Sequence, residues 1–417
     1  MRRRYFLQAA ALSGAGFLRR AHARTPAQAV KARVLIVGGG FAGSACALSL
    51  RQLDAALEVT LVDPDDRYVT CPMSNSALVG LRDLKSLRVA RRGLERAGVR
   101  YVRDRATSID PRQHRVRLAA GAALDYDRLI LAPGIRFLWD RPQGYDEAAV
   151  QAMPHAWQAG AQTERLAAQI SAMRDGGVVA ISVPTGPMRC PPGPFERASL
   201  IASFLKHGKP RSKVLIFDSN NRFPKQDAFT QAWQSLYPGM IEWIPVTEDG
   251  TVIRVDPAKM ILYTTNGQHR VDVANIIPPQ APGLLAQQAG LASDHGWCPV
   301  DAVTFESQLI PGAYVIGDAC IADPMPKAAS AANGQAKQCA LAIVAALAER
   351  AAPVPELESV CYSMLTRGRA LSIHGRYRFA DGKLQAMTVA ETSTTSEQEA
   401  RSAEAWYRRI VVDSFGG

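Results

Sequence analysis

Short apolar runs alternate with longer segments of helical period along most of this chain. That is the pattern of parallel sheets covered by helices. The first run begins at Ala32 and ends in glycines, where Val37 to Leu50 reads VGGGFAGSACALSL. A strand, a tight turn and a helix are predicted there. Glu58 to Asp63 (EVTLVD) predicts the second strand and Val99 to Val102 a third. Alternating positions near Thr107–Ile109 and Val116–Leu118 predict a small antiparallel insertion. Tyr126 to Gly134 is a strand entering a turn at Pro133-Gly134.

The pattern then starts again. Gln162 to Met173 has helical period, Gly177 to Ser182 is a strand, and Phe195 to His207 a helix. Lys213 to Asp218 predicts a strand, Asp227 to Tyr237 a helix, and Ile241 to Asn266 a group of short strands. Val271 to Pro278 is expected to return the chain to the first domain. Ala313 to Asp318 is strand plus turn, and an Ala-rich helix spans Ala328 to Arg350. After the Ala351–Pro355 linker come Cys361, strand-like Ala370–Phe379, a polar loop Glu391–Glu399 and an apolar-aromatic tail, Ala405 to Phe415, with no sustained amphipathic helix. The predicted class is α/β, with two Rossmann-like domains and a C-terminal α+β domain. Residues 30–140 with 271–350 form the first domain, 141–270 the second and 351–417 the third.

At 417 residues the chain exceeds one ordinary core. No apolar run reaches membrane-spanning length. The net charge of +11 overstates the folded part, because six of the 49 basic residues and none of the 38 acids lie in positions 1–29. No aromatic-interleaved basic patch is present, so nucleic acid is not an expected partner. That N-terminal segment reads as a twin-arginine export signal: Arg3-Arg4-Tyr5-Phe6-Leu7, an apolar stretch, then small-x-small cleavage sites ending at Ala23 and Ala29. The expected destination is the periplasm. Seven cysteines are present, so at least one is unpaired. The chain has no CxxCH, so it attaches no c-type haem itself, and no metal site of zinc spacing is visible.

The two predicted strand–turn–helix units differ in chemistry. In the first, Gly38 makes the turn, Gly40 lets backbone approach a pyrophosphate, and Gly43 lets helix pack on strand. Backbone N–H groups around Phe41 and Ala42 then face the diphosphate. Asp63 lies at the end of the second strand, about 20 residues on, where a carboxylate meets a ribose hydroxyl. In the second unit the turn reads VPTGPMRCPPGPFERAS, from Val183 to Ser199. Its prolines remove the donors a phosphate cradle needs, so the second domain is expected to lack a nicotinamide cofactor.

With GGGFAGSACA, YVTCPMSN, RCPPGPFERAS, GWCPVD, VIGDACIADPMPK and ESVCYSML in view, the chain from about Lys31 onward resembles the flavoprotein subunit of flavocytochrome c sulfide dehydrogenase, a branch of the sulfide:quinone oxidoreductase superfamily. The resemblance implies FAD, bound covalently through Cys71, and a redox disulfide between Cys190 and Cys361 above the flavin. It implies an acid, Glu196, beside that disulfide, an aspartate, Asp318 after Gly317, on the ribityl chain, and an aromatic, Trp406, beside the ring. Lys327 and the helix after it are expected at the flavin pyrimidine. The implied activity is sulfide oxidation to zero-valent sulfur, with electrons passing to a haem c on a cytochrome partner.

Other readings remain open for the residues themselves. Cys190 and Cys361 form a structural disulfide in one, Cys71 is a free thiol in another, and Glu196 is a surface acid in a third. His155 fits packing better than catalysis, and Cys46, Cys320 and Cys339 fit a core. Cys298 has no assigned chemistry. For the whole chain the alternatives are a membrane-associated sulfide:quinone oxidoreductase and a non-catalytic sulfur-binding flavoprotein.

Overall fold

A computed structural model describes residues 30–294 and 296–417. The export-signal expectation falls on residues 1–29, outside the described residues. In the first domain, strand β1 (Ala32–Val37) leads into helix α1 (Phe41–Leu53) and strand β2 (Leu57–Val62). Strands β3 (Arg100–Val102) and β4 (Arg128–Leu131) follow. Between those two lies the predicted antiparallel insertion, Ala106–Asp110, Arg115–Leu118 and Ala123–Asp125.

The second domain repeats the scheme. It contains β5 (Val178–Val183), helix α2 (Gly193–Gly208), β6 (Lys213–Asp218), helix α3 (Gln226–Leu236), β7 (Ile241–Ile244) and β8 (Val273–Ile276). Its sheet runs β7-β6-β5-β8, all parallel. Val273–Ile276 therefore belongs to this sheet, paired with Val179–Ser182. The expectation that Val271–Pro278 re-enters the first domain is corrected accordingly. The return comes at Gln280–Pro282, which pairs antiparallel with Ile135–Phe137. An apolar strand of this length fits either parallel sheet, so the pattern alone did not choose.

Back in the first domain, β9 (Ala313–Val315) completes a parallel sheet in the order β9-β4-β1-β2-β3, and helix α4 (Ala329–Leu347) packs beside α1. Small side chains bring those helices close. Cys46 and Cys339 are fully buried in this core. The β1 interior is buried on both faces, as expected for a central parallel strand.

The third domain is an antiparallel meander, β10 (Glu356–Thr366), β11 (Arg369–Ala380) and β12 (Lys383–Glu391), covered by helix α5 (Glu397–Phe415). The tail is thus an amphipathic helix, contrary to the sequence expectation. Ser396 caps it by accepting from Glu399 N–H at 3.0 Å. Its face of Ala400, Ala403, Tyr407, Ile410 and Phe415 is buried inside the protein, and Phe415 stacks on Tyr68 at 5.4 Å. The irregular mix of charges and aromatics hid the 3.6-residue period. Among the described residues, no helix is long and apolar enough to cross a membrane.

Candidate active site

All three domains contribute walls to one cavity of about 540 Å³. The first wall is the glycine turn. Gly38 has φ +104°, and a Cβ there would lie 2.2 Å from the Ala132 carbonyl oxygen. A Cβ on Gly43 would lie 1.9 Å from the Gly38 carbonyl oxygen, so this glycine serves the strand–helix contact and does not line the cavity. Gly38, Gly40, Phe41 and Ala42 do line it. Helix α1 has no side-chain cap and no acid in its first turn. The first intrahelical acceptor, Gly40 O, is taken by Ser44 N–H, which leaves the amides before it open to an anion.

Asp63 lines the same region. Its carboxylate accepts from Gly39 N–H at 2.6 Å and from Arg91 at 2.9 Å. Arg91 is buried, also donates to the Gly39 carbonyl, and lies over the Tyr101 ring. Sequence reasoning missed it. An arginine more than two turns of chain away from any motif gave no signal. Pro133, Gly134, Gly317 and Asp318 complete this wall, and burial raises the Asp318 carboxyl above its usual range. Helix α4 also starts at the cavity, uncapped, at Ala328 and Ala329.

Lys327 is placed differently from expectation. Its Nζ donates to the carbonyls of Asp318 at 2.8 Å and Cys320 at 2.9 Å and sits 3.9 Å from the Trp297 ring centroid. It faces the back of the turn and does not line the main cavity. Two carbonyls and an indole satisfy the ammonium there. Arg67, Arg189 and Arg197 line the cavity instead, and Arg189 bonds the Trp157 carbonyl.

The second wall is the proline-rich turn between β5 and α2. Cys190 has φ +54°, a left-handed conformation that a side chain rarely adopts. Its N–H donates to the Lys327 carbonyl at 2.8 Å, and its carbonyl accepts from Gly193 N–H at 2.8 Å. A Cβ on Gly193 would lie 3.0 Å from Cys190 Sγ and 2.7 Å from Trp157, so glycine permits that packing. The Cys190 N–H is therefore not open toward a phosphate, and the Arg189 N–H is taken by Gln280 Oε1 at 2.8 Å. Beyond β6, Asp218 is fully buried and accepts from Asn220 and Trp243.

The third wall comes from β10 and α5. Cys361, Tyr362, Met364 and Trp406 line the cavity, and Cys190 and Cys361 face the same space. All seven cysteines are free thiols in this structure. Burial raises both site thiols. The Cys190 thiol is raised further by Cys361 and Glu196, and the Cys361 thiol by Glu196. Cys71 also lines the cavity, in a loop tied to α5 by Thr70 Oγ1 and Tyr407 Oη at 2.9 Å.

Glu196 is not a solvated surface acid. Oε1 accepts from Met364 N–H at 2.9 Å and Oε2 from Asn75 at 2.8 Å. Burial raises its carboxyl despite those donors. Next to it, Arg197 is 2% exposed and makes four hydrogen bonds. It donates to Asn75 Oδ1 at 3.0 Å, Asn275 Oδ1 at 2.8 Å and the carbonyls of His155 and Ala156 at 3.0 and 2.7 Å. Arg197 and Asn75 stood in motifs without a role; the structure makes them the clamp between the first and second domains. His155 accepts Trp157 N–H at Nδ1, and burial pushes it down to about 3, so it is a neutral packing residue. Cys298 and Cys320 are buried neighbours in paired strands, each pushed up to about 12 by burial. Among the described residues no group of His, Cys, Asp or Glu could hold a metal ion.

Residues 163–278 match the family described as sulfide dehydrogenase (flavocytochrome c) flavoprotein chain, central. Residues 353–415 match flavocytochrome c sulphide dehydrogenase, flavin-binding, and residues 32–161 match pyridine nucleotide-disulphide oxidoreductase. The sulfide dehydrogenase flavoprotein chain of Chlorobaculum thiosulfatiphilum is 54% identical over 44 residues, 11% of this chain and 92% of the matched sequence. Mitochondrial sulfide:quinone oxidoreductase of Mus musculus is 23% identical over 321 residues, 72% of this chain and 68% of the relative. The fold is similar to the solved sulfide:quinone oxidoreductase of Aquifex aeolicus, with TM-score 0.74, 18% identity and 92% of each chain covered. The chain belongs to the family of flavocytochrome c sulfide dehydrogenase flavoprotein chains, within the sulfide:quinone oxidoreductase superfamily.

Proposed function

We propose that the chain is an FAD-dependent oxidoreductase that takes electrons from sulfide at a Cys190–Cys361 disulfide and passes them singly to a cytochrome c partner. The observation that carries this reading is two cysteines, from different domains, on the wall of one cavity that also holds an open-amide glycine turn. The residues present fit FAD. The amides after Gly40 would hold the diphosphate, Asp63 a ribose hydroxyl, and Gly317-Asp318 the ribityl chain. Cys71 is the proposed covalent anchor. FAD, when bound, takes up electrons in pairs and releases them one at a time.

The chain's own residues supply the rest. Hydrosulfide opens the disulfide by thiol exchange, leaving a persulfide and a thiolate. Glu196, kept protonated by burial to higher pH than an ordinary carboxyl, returns and takes up protons beside the sulfurs. The uncapped start of α4 and the Arg189 guanidinium favour negative charge in the cavity. With no CxxCH here, the haem would sit on the partner. A quinone acceptor is less favoured, because α5 spends its apolar face inside the protein and offers little to a membrane. The twin-arginine segment supports a periplasmic setting.

Anaerobic sulfide should bleach the flavin band near roughly 450 nm, and an oxidised soluble cytochrome c should restore it. Unchanged absorbance overturns sulfide oxidation. Recovery with a quinone analogue but not with cytochrome overturns the acceptor.

A further inference from the structure

A buried lysine stands beside the cysteine pair, and no motif of the chain foretold it. Lys225 ends the loop after β6 and forms the N-cap of α3 with φ +62°. It makes no side-chain cap there, and its side chain turns inward, 2% exposed. Nζ donates to Ser363 Oγ at 2.7 Å, and the backbone N–H donates to Glu391 at 3.2 Å. Ser363 lies two residues beyond Cys361 on β10, on the same face of the strand. The ammonium is therefore delivered to the face that carries the Cys361 thiol.

Burial disfavours an ammonium unless anions face it, and a left-handed backbone is strained for a non-glycine residue. Burial lowers the Lys225 pKa, and the groups that oppose this are, in order, Cys361, Glu196, Cys190 and Glu391. For Cys361, Lys225 is the group that favours the thiolate, against burial and Glu196. For Cys190, burial, Cys361 and Glu196 come first, and Lys225 and Arg189 oppose them more weakly. The two cysteines are thus unequal: Lys225 is the leading charged neighbour of Cys361 and a lesser one of Cys190.

We infer that Lys225 is the electrostatic partner of Cys361, making Cys361 the leaving thiolate when sulfide opens the disulfide and directing the incoming sulfur to Cys190. The step balances without an external oxidant. The hydrosulfide sulfur bonds to Cys190 Sγ, the Cys190–Cys361 bond breaks, and its electron pair departs on Cys361 Sγ. The proton stays on the terminal sulfur of the persulfide. Lys225 touches no reacting atom in this scheme; it is a positioning residue acting through the Cys361 charge. The inference rests on the sulfide-oxidising reading proposed above.

Two measurements on FAD-loaded protein test it. In the reduced protein, iodoacetamide labelling of each cysteine is followed against pH by peptide mass mapping. Lys225→Met should slow Cys361 labelling at neutral pH by about tenfold or more, roughly one pKa unit or more, and shift its profile to higher pH. Cys190 should change less, and Lys225→Arg should restore Cys361. Ser363→Ala keeps the charge but frees its tether, and should give a smaller shift in the same direction; it also serves if Lys225→Met loses FAD. Cys361 profiles unchanged in Lys225→Met and Ser363→Ala overturn the inference. In the second measurement one equivalent of sulfide is added to oxidised protein, quenched with alkylating agent and mapped. Extra sulfur on the Cys190 peptide is expected, and extra sulfur on the Cys361 peptide contradicts it. No added sulfur on either peptide defeats the sulfide-oxidising reading, while the labelling profiles still decide the role of Lys225.

Discussion

The turn after β1 and the turn after β5 occupy the same place in two copies of one strand–turn–helix plan, yet they present opposite chemistry. The first has glycines at the tight points and an uncapped helix, so backbone donors face the cavity. The second has prolines and a left-handed cysteine whose N–H is already bonded to the Lys327 carbonyl. One turn is built to receive an anion, and the other presents a sulfur. The scaffold fixes where a ligand meets the sheet; the turn residues decide what it meets.

Breaking the first turn should have the largest effect. Gly43→Val would drive a side chain into the Gly38 carbonyl, a clash worth more than about 4 kcal/mol. The expected product is protein without FAD or without a fold, read by flavin absorbance per chain and by yield. The clamp of the second turn comes next. Arg197→Met strands the buried acceptors Asn75 Oδ1, Asn275 Oδ1 and the Ala156 carbonyl, while Asn275 Nδ2 still serves the His155 carbonyl; at about 1–3 kcal/mol for each stranded group it should lower the melting temperature by several degrees or more.

Glu196→Gln sharpens the comparison through pH. Burial raises the Glu196 carboxyl. A group raised in the fold stabilises it fully below its unfolded value, near about 4, and loses that contribution as pH rises through the folded value. Glutamine stays neutral, so the variant should match the parent in acid and gain on it in melting temperature at higher pH. A gain in acid instead would contradict the assignment. The smallest structural effect is expected for Cys71→Ser. It should retain FAD in the native state yet release it into the supernatant on acid precipitation, whereas the parent keeps its colour on the polypeptide.

Much of this difference was legible in the chain. The glycine spacing and the prolines around Cys190 are local features, so the contrast between the turns could be read directly. The sulfur pair was carried by resemblance, since nothing local links Cys190 to a strand so far along the chain. Asn75, Arg91, Arg197 and Lys225 were not legible, because each acts through contacts distant in sequence. An arginine or lysine is ordinarily a solvent residue, and only packing reveals one that is buried. Val273–Ile276 and α5 were missed for a related reason. Which sheet a short apolar strand joins, and whether a mixed tail helix finds a buried face, are decided by tertiary partners. Lys327 was expected at the flavin pyrimidine, and its Nζ instead bonds the Asp318 and Cys320 carbonyls beside Trp297.

The most direct test of the central claim, that the second turn supplies one sulfur of a redox pair, is anaerobic sulfide titration of FAD-loaded Cys190→Ser and Cys361→Ser beside the parent. Both variants should keep their flavin and melt normally, while sulfide bleaches the parent and reduces either variant at least about a hundredfold more slowly. Bleaching of either variant at the parental rate would contradict it.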